Sequence, residues 1–336
     1  MLDLIKTLSR TLLGLSLATA IGCAQQSHPL NAANPTPSAP TTQSPTKPTF
    51  VFDGKVAWDY LLKQVAYGPR VPNTDAQTQC RDWMVQELKK SCDDVRTQHL
   101  THHWSFNGKD LDIYNVIGTQ NWKDAKVRMV LLAHWDSRPF ADGPNSQWAD
   151  NYKELHPIPG ADDGASGVAV ILELAQAIKD KHPGVGICYL LDDGEDVGPQ
   201  INEMLLGVDY FADHLPDPKP DYGILLDMIG QQDLVVPMEQ ESYKRAQNLT
   251  VAFFKNCQQA GLSKTFPYEI GDDIEDDHLP LLDKGIPTLD LIDFRYYYWH
   301  TVDDTAAHCS QSALEQTGDA LESFLTKNPP YMPPKG

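Results

Sequence analysis

Gly160-Ala161-Asp162-Asp163-Gly164-Ala165-Ser166-Gly167 runs straight into Val168-Ala169-Val170-Ile171-Leu172-Glu173-Leu174-Ala175, so a turn of small and acidic residues delivers a carboxylate to the start of an apolar helix. The plainer reading is a capped helix with a glycine turn, because Asp near a helix start is routine. Working outward, a nearly continuous apolar run over 127–133 precedes the stretch. After it come helix 165–180, strand 185–191, a helix near 203–214, strand 221–227, helix 240–260, strand 286–292 and helix 311–326. This alternation predicts an α/β fold: a mixed, mostly parallel central sheet flanked by helices on both faces. Upstream, 53–67 and 75–90 read as amphipathic helices, the first ended sharply by Gly68-Pro69-Arg70-Val71-Pro72. Strands at 95–104 and 111–118, joined through Asn107-Gly108, predict an antiparallel hairpin at the sheet edge. The long segments 135–159 and 263–285 lack periodicity and are expected to be site-forming loops.

The 336 residues are 41% hydrophobic, enough for one large α/β domain plus extensions. A formal charge of −19 with no Lys/Arg-rich stripe excludes a nucleic-acid surface. Lys6 and Arg10, an apolar run over 11–22 and then Cys23 make a secretory signal over 1–22. Ala20-Ile21-Gly22-Cys23 resembles a bacterial lipobox, which makes Cys23 the expected lipid anchor and the only membrane contact; plain signal cleavage is the alternative. Residues 23–49 hold this site and a disordered Pro/Thr-rich linker, and 50–336 the folded domain. The expected address is a bacterial membrane facing the periplasm, the outer membrane first, or the periplasm or medium if Cys23 is not acylated. Cys80, Cys92, Cys188, Cys257 and Cys309 are an odd number, so at least one thiol is expected to be unpaired.

Acids and histidines gather where the predicted strands end: His134-Trp135-Asp136-Ser137, Asp192-Asp193-Gly194-Glu195-Asp196, Asp227-Met228-Ile229-Gly230 and, after the last strand, Trp299-His300-Thr301. Ligands of open α/β sheets sit outside the carboxyl ends of the strands. Singly, each of these residues reads as a surface or core group. Together they offer imidazole and carboxylate donors suited to zinc, with a spare carboxylate to handle protons.

The glycine turn, Asp193-Gly194-Glu195-Asp196 and Trp299-His300-Thr301 resemble the zinc-dependent aminopeptidase superfamily, whose phosphorylase/hydrolase-like sheet matches the predicted one. Ala66-Tyr67-Gly68-Pro69-Arg70-Val71-Pro72, Leu225-Leu226-Asp227-Met228-Ile229-Gly230 and Glu275-Asp276-Asp277-His278-Leu279-Pro280 are similar to its glutaminyl cyclase branch, over about Trp58 to Leu325. The resemblance implies Asp163, Asp196 and His300 as zinc ligands and Glu195 as acid/base, with one zinc expected. In the superfamily's aminopeptidases, His134 and Asp227 hold a second zinc; the cyclase branch draws Asp227 into hydrogen bonding instead. It further implies that Asp277 holds the substrate amide with Asp276 in support, that Trp299 walls the pocket, and that the bond after Asp163 is cis. Animal cyclases carry Glu at 196, His at 290 and a disulfide where Ala133 and Val168 stand, so the bacterial form is the nearer match. The implied reaction turns the N-terminal glutamine of a peptide or protein into pyroglutamate with release of ammonia. A two-zinc aminopeptidase and a binding lipoprotein are the alternatives, and a monomer is expected.

Overall fold

The chain is described from a computed structural model covering residues 50–149, 151–181, 184–327 and 330–334. The signal, lipidation site and linker expected over 1–49 lie outside the described residues. Helix α1 (Gly54–Val65) starts where the Asp53 carboxylate accepts the Lys55 N–H, and α2 (Asp75–Leu88) where the Thr74 hydroxyl accepts that of Gln77. Strands β1 (Asp94–Trp104) and β2 (Lys109–Gln120) form the expected hairpin, with Gly108 taking φ 69° in its turn. There follow β3 (Val127–His134), α3 (Ala165–Ile178), β4 (Val185–Asp192), α4 (Leu206–Asp213), β5 (Tyr222–Asp227), α5 (Gln240–Arg245), α6 (Gln247–Gln259), α7 (His278–Asp283), β6 (Thr288–Ile292) and α8 (Gln311–Leu325).

The sheet order is β1-β2-β4-β3-β5-β6; β4, β3, β5 and β6 are parallel and the hairpin is antiparallel, as the sequence predicts. Strand alternation divides the core in two. Met129, Leu131, Ala133, Tyr189 and Leu191 face α1, α3, α6 and α8, whereas Val130, Leu132, Cys188 and Leu190 face Val208 and Phe211 of α4 and Leu281 of α7. Because α3 carries the chain from β3 outward to β4 and α4 returns it on the opposite face to β5, the connections leaving β3 and β5 run in opposite directions, and the crevice at their carboxyl ends is a topological switch point.

Two sequence expectations are corrected. The helix expected over 240–260 is two helices meeting at Ala246 (φ −124°, ψ 34°), with α5 tied to β6 by a bond from the Asp290 N–H to the Ser242 hydroxyl. The segment 263–285 contains α7, too short at six residues to show a helical period. The five cysteines from Cys80 to Cys309 are all free, and among the described residues no helix is long and apolar enough to cross a membrane.

Arg70 holds the long 135–159 segment in place. It is fully buried and donates to the carbonyls of Trp135 (2.8 Å), Pro159 (2.7 Å) and Gly160 (2.6 Å). Replacing it, Arg70→Met, strips three buried carbonyls of their donors. The expected loss is about 3 kcal/mol or more of stability, at roughly 1 kcal/mol or more per orphaned group, read from denaturant unfolding; an unchanged midpoint contradicts this role.

Candidate metal centre

At the switch point, His134 ends β3, Asp227 ends β5, and Asp163 arrives on the glycine turn ahead of α3. Gly164 adopts φ 98°, and a Cβ there would lie 2.7 Å from the His134 carbonyl, so the turn passes where only glycine fits. The bond after Asp163 is not the expected cis peptide; among the described residues the cis bonds precede Pro199 and Pro218. Gly164 in the left-handed region makes the reversal instead. Asp162 and Asp163 have divided roles. The Asp162 carboxylate accepts the Gly230 N–H at 2.6 Å, while the backbone N–H groups of Asp162 and Asp163 are held by Asp304 at 2.9 and 3.3 Å. Asp163 keeps its side chain for the crevice.

Its two oxygens face two clusters. Oδ1 lies 3.1 Å from His134 Nε2, which is 3.4 Å from Asp227 Oδ1. Oδ2 lies 3.6 Å from His300 Nε2, which is 3.1 Å from Asp196 Oδ1. All five side chains are buried, and Asp163 Oδ2, Asp196 Oδ2, His134 Nε2 and Asp227 Oδ1 have no hydrogen-bond partner. Orphaned lone pairs on carboxylates and imidazoles converging within 4.8 Å are a donor set that fits zinc. Each cluster of three brings together residues far apart in the chain.

Glu195 stands beside this set without joining it, its Oε2 3.8 Å from His134 Nδ1. The Asp136 carboxylate accepts the N–H groups of both Glu195 (3.3 Å) and Asp196 (3.1 Å), pinning the turn that lets the two neighbouring acids diverge. Burial, reinforced by Asp196, raises the Glu195 pKa well above the ordinary carboxylate range. Burial, with Asp227 next, does the same for Asp276, while Asp277 is raised by burial and by its neighbour Asp192. Both acids share the buried charge field of Glu195 and Asp192, and Asp276 that of Asp227 as well. Trp299 stacks on the His300 ring at 3.8 Å, and Phe294 covers Trp299 at 5.0 Å. His300 itself sits at φ 52°, an uncommon backbone setting for a branched ring side chain.

Some functional neighbours have no motif. Arg138 and Asp142 lie in the aperiodic 135–159 segment yet form a buried ion pair (2.7 Å) that reaches Asp196 and His300. Asp193, which the sequence places among the site acids, is structural: its Oδ2 accepts from Gln77 Nε2 (2.7 Å) and the Tyr114 N–H (2.8 Å).

A metal-ligating cluster with an unbound carboxylate at the switch point of this sheet defines a metal-dependent enzyme of the zinc exopeptidase-like class. The profile of peptidase family M28 matches residues 115–325, and the chain belongs to that family. Curated relatives include the glutaminyl-peptide cyclotransferases of Bos taurus, 28% identical over 63% of this chain and 65% of that protein, and of Drosophila melanogaster, 27% identical over 71% of each. The chain thus spans about two thirds of the bovine relative's length. Among solved structures, a Bacteroides thetaiotaomicron glutaminyl cyclase is 34% identical with a TM-score of 0.75, covering 82% of this chain and 98% of that one. A Zn-dependent exopeptidase from Parabacteroides distasonis is 33% identical with a TM-score of 0.76, covering 84% and 99%.

Without metal, burial disfavours the His300 cation, but Asp196 and Asp142 outweigh it and raise its pKa to about 9. The raised value stabilises the metal-free fold fully below the ordinary histidine pKa of about 6.5, and this contribution fades as pH rises through about 9. Zinc must displace that proton. Zinc affinity is therefore expected to climb steadily from pH 6.5 to about 9 while metal-free thermal stability falls; a pH-independent affinity in chelator competition would contradict the His300 ligand.

Proposed function

We infer that this protein is a glutaminyl-peptide cyclotransferase. It acts on the N-terminal glutamine of peptides or proteins: the α-amine nitrogen bonds to the side-chain amide carbon, the carbon–nitrogen bond to the amide NH2 breaks, and ammonia leaves. The observation that carries this reading is the grouping of Glu195 and Asp227 around His134, next to the Asp163–Asp196–His300 cluster, with Asp276 and Asp277 in the same buried charge field. One carboxyl moves the proton and a second holds the amide.

Glu195 takes the proton from the attacking amine and returns it to the departing nitrogen. Its raised pKa suits it to both duties, since a carboxyl at the ordinary value holds a proton too loosely to hand it on. Oδ1 of Asp276 accepts the Asp277 N–H at 2.6 Å, and Oδ2 of Asp276 and both oxygens of Asp277 are buried and unpartnered, so this pair is the acceptor for the substrate amide N–H. Trp299, rigid against His300 and Phe294, walls the pocket on the side of the glutamine methylenes. Zinc, when held by Asp163, Asp196 and His300, supplies a Lewis acid for the glutamine carbonyl. Fixing amine and amide in one pocket makes closure of the five-membered ring an intramolecular event.

One zinc is proposed. His134 lies between Asp163 and Asp227, at 3.1 and 3.4 Å, and the cyclase resemblance draws Asp227 into hydrogen bonding there in place of a second metal. The family's two-zinc aminopeptidases put a metal at that point, and this is the alternative chemistry. Export and anchoring through Cys23, with a monomeric catalytic domain, are carried into the proposal by the sequence of residues 1–49 and the acidic surface.

Purified protein incubated with a glutaminyl peptide is expected to release ammonia with the peptide length unchanged. Free glutamine and a shortened peptide would favour the aminopeptidase. Glu195→Gln is expected to cut turnover at least ~100-fold, the usual contribution of a positioned acid/base, with zinc content retained; undiminished turnover would remove Glu195 from the mechanism.

A further inference from the structure

Among the described residues only Arg70 and Arg138 are buried arginines, and no lysine is buried. Arg70 donates to carbonyls, so Arg138 is the buried guanidinium that meets the carboxylates of the metal centre. Its Nε and Nη2 grip the two oxygens of Asp142 at 2.9 and 2.7 Å, a planar fork-to-fork pair. Nη1 reaches Asp196 Oδ1 at 3.0 Å and contacts Met204 Sδ at 3.8 Å. On the other side, Asp142 Oδ1 lies 3.1 Å from His300 Nδ1.

We infer that Arg138 and Asp142 are positioning residues that fix the orientation in which Asp196 and His300 face the metal. The inference rests on the assignment of zinc to Asp163, Asp196 and His300. Asp142 takes the Nδ1–H of His300 and so leaves Nε2 to donate. Arg138 binds Oδ1 of Asp196, the oxygen 3.1 Å from His300 Nε2, and so fixes the rotation of a carboxylate whose Oδ2 is buried and otherwise unpartnered. Because the pair is net neutral, it fixes two ligands without adding charge to the centre. A stabilising role alone explains the pair poorly, since an apolar replacement for a buried ion pair is often neutral or better.

The test is the zinc dissociation constant of the full chain by chelator competition, with metal-free thermal stability measured alongside. Asp142→Asn and Arg138→Lys are each expected to weaken zinc binding by about 10–100-fold. The lysine keeps the charge but cannot span Asp142 and Asp196 from one plane. The double variant Asp142→Leu/Arg138→Met removes both charges together; it is expected to keep metal-free stability near wild type and still lose at least about tenfold in affinity. Wild-type affinity in variants that fold overturns the clamp. If the unsubstituted protein itself binds no zinc, the metal assignment fails, and the two failures are told apart by that one control.

Discussion

The structure depends on keeping buried carboxylates from repelling one another at the end of the sheet. Two like charges about 4 Å apart cost on the order of 4 kcal/mol even at a generous effective dielectric, and this crevice gathers Asp136, Asp162, Asp163, Asp192, Asp193, Glu195, Asp196, Asp227, Asp276, Asp277, Asp290 and Asp304. The fold answers in three ways. Asp136 and Asp304 spend both oxygens, and Asp162 and Asp193 one each, on backbone N–H groups and so pin turns. Burial raises the pKa of Asp192 to about 6 and, with Asp192 next, that of Asp277 well above the carboxylate range, which favours the neutral form of the pair. Asp163, Asp196 and Asp227 keep unpartnered oxygens, and those are the atoms that a cation satisfies.

Much of this is written in the chain. The apolar runs at β3, β4 and β5 fix the strands, and a parallel sheet puts their last residues at one end, so His134, Asp192 and Asp227 had to converge whatever their side chains did. The Gly160–Gly167 turn delivers Asp163 to the same place because a helix that packs on β3 must begin beside the end of that strand. Which of the adjacent acids is spent on backbone is another matter. Asp162 and Asp193 look like Asp163 and Asp196 in sequence, and only partners as distant as Gly230, Tyr114 and Gln77 separate them. Arg138 and Asp142 were hidden for a related reason: their meaning comes from side chains some 58 and 158 positions away, Asp196 and His300, with no local period to mark them. The short α7 and the break at Ala246 carry too few residues for periodicity to register.

Neighbouring acids with opposite duties require a backbone that points them apart. Asp136 supplies this by binding two successive N–H groups, which fixes the Glu195–Asp196 peptide and sends one carboxyl to the metal cluster and the other to its flank. The division is electrostatic as well as steric. Although burial works against it, His300 and Arg138 hold the Asp196 pKa below the ordinary range, so it stays ionised as a ligand must. At Glu195 burial and Asp196 outweigh the lowering by His134, so its pKa is pushed the other way.

A further buried cluster, Glu239, His278 and Asp290, tests whether every such grouping should be read as a metal site. Its donors are close enough together, but they surround the imidazole from opposite sides: Glu239 Oε2 is 3.3 Å from Nε2, and Asp290 Oδ2 is 3.7 Å from Nδ1. Glu239 is also committed to the N–H groups of Glu241, Ser242 and Ile274. One ion cannot face both ring nitrogens, so the arrangement suits a proton-carrying chain better than coordination. Burial, with Asp276 next, raises the Asp290 pKa well above the carboxylate range, which leaves that carboxyl neutral. A neutral group there adds no negative charge behind Asp276 and Asp227. The crevice can then concentrate its charge on the atoms that meet metal and substrate.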